Sequence, residues 1–300
     1  MSAQQLQAIL QMAAQNPPPQ GASPAQLRAW FDASNSQMPP APGLSVQSLR
    51  ISDVAGGTLA AELLGTPQSD PRRLVICYHA GGFVFGSLDS HRALCSYLAQ
   101  FSGARVLNVG YRLAPEHPAP AAHDDALAAY QWALDSGYAP SAIALAGDSA
   151  GGNLALSTAV RARDQGLPLP AAIVALSPAL DLASEGESHH TVDDPFITPE
   201  LMGFFNAMYV PGGDVRSPAV TPFYGADLRG LPPVQLQVGA RERLRDDAVT
   251  MAARLQAAGV EAECTVWEGM VHCWQLFAPA LDEAMASLEL AGRFIVAHQR

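Results

Sequence analysis

The chain has no lysine, and all 17 of its basic residues are arginine. A phosphate-binding loop built on Gly-Lys-Ser/Thr, a pyridoxal Schiff base and a Ser-x-x-Lys nucleophile are thereby excluded. Charge of either sign is scarce, 15% of residues against a typical ~25%. The 28 acidic side chains leave a net charge of −11, which disfavours nucleic acid and anionic membrane surfaces as partners. Cys77, Cys95, Cys264 and Cys273 form no Cys-x-x-Cys pair, so neither a zinc site nor a redox motif is written, and buried reduced thiols are expected. The eight histidines form no His-Glu-x-x-His or other metal spacing, so no metal and no cofactor is expected. No run of ~18 apolar residues is present, and Met1 to Leu10 lacks the basic and apolar regions of a signal peptide. A cytoplasmic location is the expectation.

With 300 residues there is room for one α/β domain and a subsidiary element or for two small domains. Leu6, Ile9, Leu10 and Ala13 recur at helical spacing before Pro17 to Pro19 stop the helix. Ser23 and Pro24 open a second helix with an apolar face of Leu27, Trp30 and Phe31. From residue 44 the pattern changes. Val46–Ile51 and Thr58–Leu64 read as an antiparallel pair turning near Gly56-Gly57, followed by the strand Leu74–Tyr78. Continuous apolar strands then alternate with amphipathic helices, as in a mostly parallel sheet covered on both faces. The alternation breaks at about 184–216 and resumes with Val234–Val238 and Ala262–Val266. The expected organisation is 1–43 as the N-terminal part of a helical cap, 44–183 as core, 184–216 as a cap insertion and 217–300 as the rest of the core.

The strongest chemical signal is Gly147-Asp148-Ser149-Ala150-Gly151, which directly follows the strand Ile143–Ala146 and precedes a helix. A tight strand-turn-helix projects a serine hydroxyl above the sheet, and the helix N-terminus favours negative charge developing nearby. His79-Ala80-Gly81-Gly82-Phe83 follows the strand Leu74–Tyr78, and its paired glycines let main-chain N–H groups approach a substrate closely. Two halves of one acyl-transfer mechanism thus fall at the ends of two parallel strands. Trp30, Phe31, Phe204, Phe205 and Met208 are apolar residues of the expected cap, and with Phe83 they are candidates for a substrate pocket or for plain packing.

In His79–Gly82, Tyr111-Arg112-Leu113-Ala114-Pro115-Glu116-His117-Pro118, Gly147–Asn153, Asp194-Pro195-Phe196, Leu231-Pro232-Pro233 and Met270-Val271-His272, the chain resembles the bacterial hormone-sensitive-lipase-like esterases of the α/β-hydrolase superfamily. Ala80 stands where that family has the first glycine of His-Gly-Gly-Gly. The resemblance implies an α/β-hydrolase fold with a helical cap and a carboxylic-ester hydrolase with Ser149 as nucleophile. Gly81, Gly82 and Ala150 then supply the oxyanion N–H groups, and His272, after the last strand, is the general base. The family's Asp position reads Gly239-Ala240-Arg241-Glu242-Arg243-Leu244-Arg245-Asp246, which puts Glu242 in the acid's place. Asp246 and Asp247 remain alternatives, although they sit where a helix cap and first turn are expected. His79 and His117 look structural, and Glu116 with Asn153 is a candidate for a buried tie beneath the serine. The implied substrates are small esters of short to medium acyl chains, with lactones or arylformamides open to the same machinery. A non-catalytic small-molecule receptor is the alternative from another class. The strand Ala262–Val266 is by resemblance a sheet edge, open to pairing in a homodimer.

Overall fold

A computed structural model describes residues 2–52 and 56–300. Two helices come first, α1 (Ser2–Gln15) and α2 (Pro24–Asn35). Ser23 caps α2 in a reciprocal box with Gln26, as the Ser-Pro start predicts. Then follow β1 (Ser45–Ser52), β2 (Thr58–Gly65), β3 (Asp70–Tyr78), α3 (Leu88–Ser102), β4 (Ala104–Gly110), α4 (Ala121–Asp135), β5 (Ile143–Asp148), α5 (Ala150–Asp164) and β6 (Ala172–Leu176). After an excursion holding α6 (Ser188–Thr191) and α7 (Pro199–Tyr209), the chain returns through β7 (Val234–Gly239), α8 (Arg245–Ala257), β8 (Ala262–Trp267) and α9 (Asp282–His298).

The strands form one eight-stranded sheet in the order β1-β2-β4-β3-β5-β6-β7-β8. β1 with β2 and β2 with β4 are antiparallel, and the remaining neighbours are parallel. The expected β1–β2 pair is therefore present, while part of the link between its strands lies at 53–55, outside the described residues. β3 begins earlier than its apolar run suggests, because the strand bulges between Asp70 and Leu74 and accommodates Pro71 there.

Alternation along β3 builds the two faces of the core. Leu74, Ile76 and Tyr78 belong to the cluster under α4, α5 and α8, whereas Val75 and Cys77 belong to the one under α3 and α9. On the second face α9 crosses α3 so closely that a side chain at Gly292 would meet Phe101 Cβ at 2.5 Å. The crossover connections leave the C-terminal ends of β3, β5, β6, β7 and β8 side by side, where open α/β sheets carry their sites.

Helix α2 is fastened to that end of the sheet by Arg28. Its Nε donates to Val84 O at 2.8 Å and its Nη2 to Ala114 O at 2.7 Å, while Glu116 accepts two further bonds. Glu116 is thus paired with Arg28 near the surface and does not join Asn153 in a buried tie. Arg28→Ala is expected to cost about 2 kcal/mol, carried by the carbonyl bonds more than by the solvent-screened Glu116 pair. Denaturant unfolding checks the loss, and limited proteolysis should show α2 cut first.

Candidate active site

Ser149 leads from β5 into α5 with φ 53° and ψ −116°, a strained conformation for a residue with a side chain. Its backbone is held by Ser149 N donating to Leu176 O at 2.9 Å and Ser149 O accepting from Ala179 N at 3.0 Å. The turn closes only because its neighbours are glycines. A Cβ on Gly147 would lie 2.3 Å from Gly151 O, and one on Gly151 would lie 1.8 Å from Tyr78 O.

His272 Nε2 lies 3.0 Å from Ser149 Oγ, and His272 Nδ1 lies 2.9 Å from Glu242 Oε2. The carboxylate at the imidazole is therefore that of Glu242. Its other oxygen, Oε1, accepts from Gly239 N at 2.6 Å and from Ser177 Oγ at 2.7 Å. Ser177, at the end of β6 with φ 43°, was not singled out in the sequence, and the Ser-Pro step after an apolar strand was its only local sign. Burial works against charge on His272, but the hydrogen bond and charge of Glu242, with Asp194 and Asp148, outweigh it and lift its pKa above the ordinary value. Burial also lifts Glu242, opposed by its bonds from His272, Gly239 and Ser177. The thiol of Cys273 is 3.3 Å from His272 Nε2 and is held protonated by burial and by the charges of Asp148 and Glu242.

The loop after β3 faces Ser149. Gly81, Gly82 and Phe83 all have positive φ, and the amides of Gly81, Gly82 and Ala150 donate to no backbone acceptor among the described turn and loop bonds. Across Gly82 lies Phe205 of α7, whose ring would be 2.3 Å from a Cβ added there. Phe85 packs edge-on to Phe205 at 5.1 Å and is 6.2 Å from Phe204 and 6.1 Å from Phe31 of α2. Met208 is half-buried against the same core. Trp30 has turned the other way, its indole N–H bound to Asn16 O, so Phe31 is the α2 ring that reaches this cluster. Phe83 points inward and stacks on Tyr209 at 4.0 Å.

The buried tie beneath Ser149 involves His123. Burial lowers its pKa to about 4, which keeps the ring neutral, and it links Tyr209 OH (2.6 Å) to Asn153 Oδ1 (3.2 Å). Asn153 in turn donates to Ala179 O and Val220 O. Asp246 and Asp247 both lie in the first turn of α8, as expected, but neither is its cap, since Leu244 occupies that position, and both side chains reach out of their helix. Asp246 accepts from Ser188 N at 2.8 Å. Asp247, fully buried, accepts from Leu180 N, Asp181 N and His189 Nε2. Asp181, His189 and Asp247 lie close enough to suggest a metal site. Their oxygens are already engaged, however, since Asp181 accepts from Glu185 N, Gly186 N and Tyr224 OH. The donor set is that of a closed hydrogen-bond cluster, which explains how three ionisable groups share one buried place. Cys77, Cys95 and Cys273 are buried free thiols, and Cys264 is half-buried.

Residues 75–276 match a family of the alpha/beta hydrolase fold. The chain belongs to that family, in its hormone-sensitive-lipase-like branch. It is 41% identical over 244 residues to an acetyl-hydrolase of Streptomyces hygroscopicus, covering 81% of each chain. A solved esterase of the bacterial hormone-sensitive lipase family superposes with a TM-score of 0.93 at 38% identity over 99% of both chains. The esterase EstE5, in a crystal soaked with p-nitrophenyl butyrate, gives a TM-score of 0.91 at 33% identity over 98% of both.

Close backbone approach at the serine turn predicts a sharp contrast between two glycines. Gly151→Ala must move the Tyr78 carbonyl and should destabilise the protein by about 3 kcal/mol or more. Gly203, on α7, has open space around it, and Gly203→Ala should stabilise by up to ~1 kcal/mol through helix propensity. Chemical denaturation of both variants checks the pair.

Proposed function

We propose that this chain, a carboxylic-ester hydrolase, works through an acyl-enzyme on Ser149. The observation that carries the reading is the unbroken line from Ser149 Oγ through His272 to Glu242, at 3.0 and 2.9 Å. His272 Nε2 takes the serine proton as Oγ attacks the ester carbonyl. The amides of Gly81, Gly82 and Ala150 receive the oxyanion. Glu242 fixes the imidazole with Nδ1–H toward itself and offsets the imidazolium charge. His272 then returns the proton to the leaving alkoxide, and water repeats the cycle on the acyl-enzyme.

Helices α2 and α7 act as the cap, and the ring cluster of Phe31, Phe85, Phe204 and Phe205 bounds the space above Gly82. Such a wall suits acyl chains of roughly two to eight carbons. The soaking of a related esterase with a butyrate ester is in keeping with that size. A cytoplasmic location accords with Cys95 lying beside Cys77 as free thiols, and no helix among the described residues is long and apolar enough to cross a membrane. β8 is an edge strand with Val266 exposed, which suits pairing with a second copy across a two-fold axis.

Ser149→Ala should remain folded and lose ~10⁶ in kcat; a folded variant with a tenth of normal turnover would refute the covalent route. Since His272 must be neutral to accept the proton, kcat/KM should rise with pH through a midpoint above the ordinary imidazole value of 6.5. Glu242→Gln removes the partner that lifts this pKa, so the acid limb should move to lower pH while kcat falls by up to ~10⁴. Asp246→Asn should leave the limb in place. In a series of p-nitrophenyl esters, kcat/KM should peak at short to medium chains, and a rise continuing to about sixteen carbons would contradict the pocket assignment.

A further inference from the structure

The oxyanion loop passes through three consecutive positive φ angles, 116° at Gly81, 60° at Gly82 and 64° at Phe83. A segment in this region keeps its shape only where its surroundings hold it. Ala80, the residue before it, is held at both its carbonyl and its amide. His79 Nδ1 bonds to Ala80 O at 2.8 Å, and Ala80 N donates to His91 Nε2 at 3.0 Å.

His91 lies on α3 and is fully buried. Its Nδ1 is 2.9 Å from Ser90 Oγ, whose own proton goes to Ser87 O, so Nδ1 carries hydrogen and Nε2 is turned to the Ala80 amide. The same Nε2 lies 3.2 Å from Asp148 Oδ2. Asp148 directly precedes Ser149 and is itself fully buried, and its Oδ1 has no hydrogen-bond partner among the described residues. With the hydrogen on Nδ1, the single lone pair of Nε2 accepts the Ala80 amide, so His91 anchors the strand end that carries the oxyanion amides, and the Asp148 carboxylate lies against the same ring edge.

We propose that His91 is a positioning residue that sets the Gly81 and Gly82 amides against Ser149 by accepting the Ala80 amide on its Nε2. The proposal rests on the acyl-enzyme reading above. It assigns His91 no contact with substrate. A small error in the spacing between amides and nucleophile weakens oxyanion binding in the transition state and leaves ground-state ester binding nearly unchanged.

The test compares His91→Gln with His91→Asn, scoring kcat per active site titrated with a fluorophosphonate. The Gln amide reaches the Nε2 position, where its oxygen can accept from Ala80. The Asn amide reaches only the Nδ1 position. His91→Gln should retain kcat within about threefold, whereas His91→Asn should lose about 10² in kcat with KM within about threefold. Affinity for an alkyl boronic acid, which forms a tetrahedral adduct at Ser149, should fall in parallel with kcat. Equal kcat in both variants and wild type, with altered thermal stability alone, would overturn the proposal, as would equal losses in Gln and Asn. Should His91→Asn fail to fold, Asp148→Asn, whose amide N–H can donate to His91 Nε2 in competition with Ala80 N, is expected to lower kcat about tenfold without moving KM, and an unchanged kcat there overturns it too. Failure of the wild type to take up fluorophosphonate would strike the acyl-enzyme reading itself, and this proposal with it.

Discussion

The site depends on one backbone contact, the approach of Gly151 to the carbonyl of Tyr78. A Cβ at that glycine would lie 1.8 Å from Tyr78 O and 2.9 Å from His79 O. Absence of a side chain thus lets the start of α5 press against the end of β3, and the serine turn comes to rest beside the oxyanion loop. The strain at Ser149 and the positive φ angles of Gly81 and Gly82 are maintained by this close packing. The polar ties around it, from His91 to Ala80 and from His123 to Asn153 and Tyr209, fix what the packing brings near.

The acid side is built on a second close approach. Gly239 ends β7 with its Cα against Met270, where a Cβ would meet Met270 O at 2.4 Å, so the loops carrying Glu242 and His272 run in contact. Glu242 sits at the bottom of that junction, fully buried, with Ser177, Gly239 and His272 as its donors. The arginines beside it in sequence do not neutralise it. Arg243 turns instead to His189 O, and its amide bonds Asp194 Oδ2. The segment before α7 is thereby fastened to the acid loop, with Ser188–Asp246 and His189–Asp247 as further links. Burial opposes the charge on His189, but the hydrogen bond and charge of Asp247, with the charges of Asp181 and Asp246, raise its pKa and strengthen that link.

Much of this was legible in the sequence, for local reasons. The glycine pattern around Ser149, the strand before it and the helix after it constrain one another within a few residues, and the apolar alternation of β3 and β5 specifies a sheet buried on both faces. Other features depend on partners far along the chain. Glu116 went to Arg28 and Asn153 to His123, pairings that no spacing encodes. Trp30 and Phe31 are neighbours on one helix, and a rotation of a single residue decides which ring meets Phe85. Asp247 is the first-turn acid that its position suggests, but only the fold shows that it is buried against His189. Ser177 carried only a strand-end signature, and its role at Glu242 appears when β6 and β7 are side by side.

The proposed mechanism turns on Ser149 Oγ holding the acyl group. The most direct measurement is rapid acid quenching of the wild-type protein during its first turnover of p-nitrophenyl butyrate, followed by mass spectrometry of the intact chain and its peptides. A burst of p-nitrophenol of about one equivalent is expected if deacylation is the slower step, with one butyryl group located on Ser149 and none in Ser149→Ala. Product formed with no acylated chain at any quench time, while Ser149→Ala continued to turn over, would contradict it.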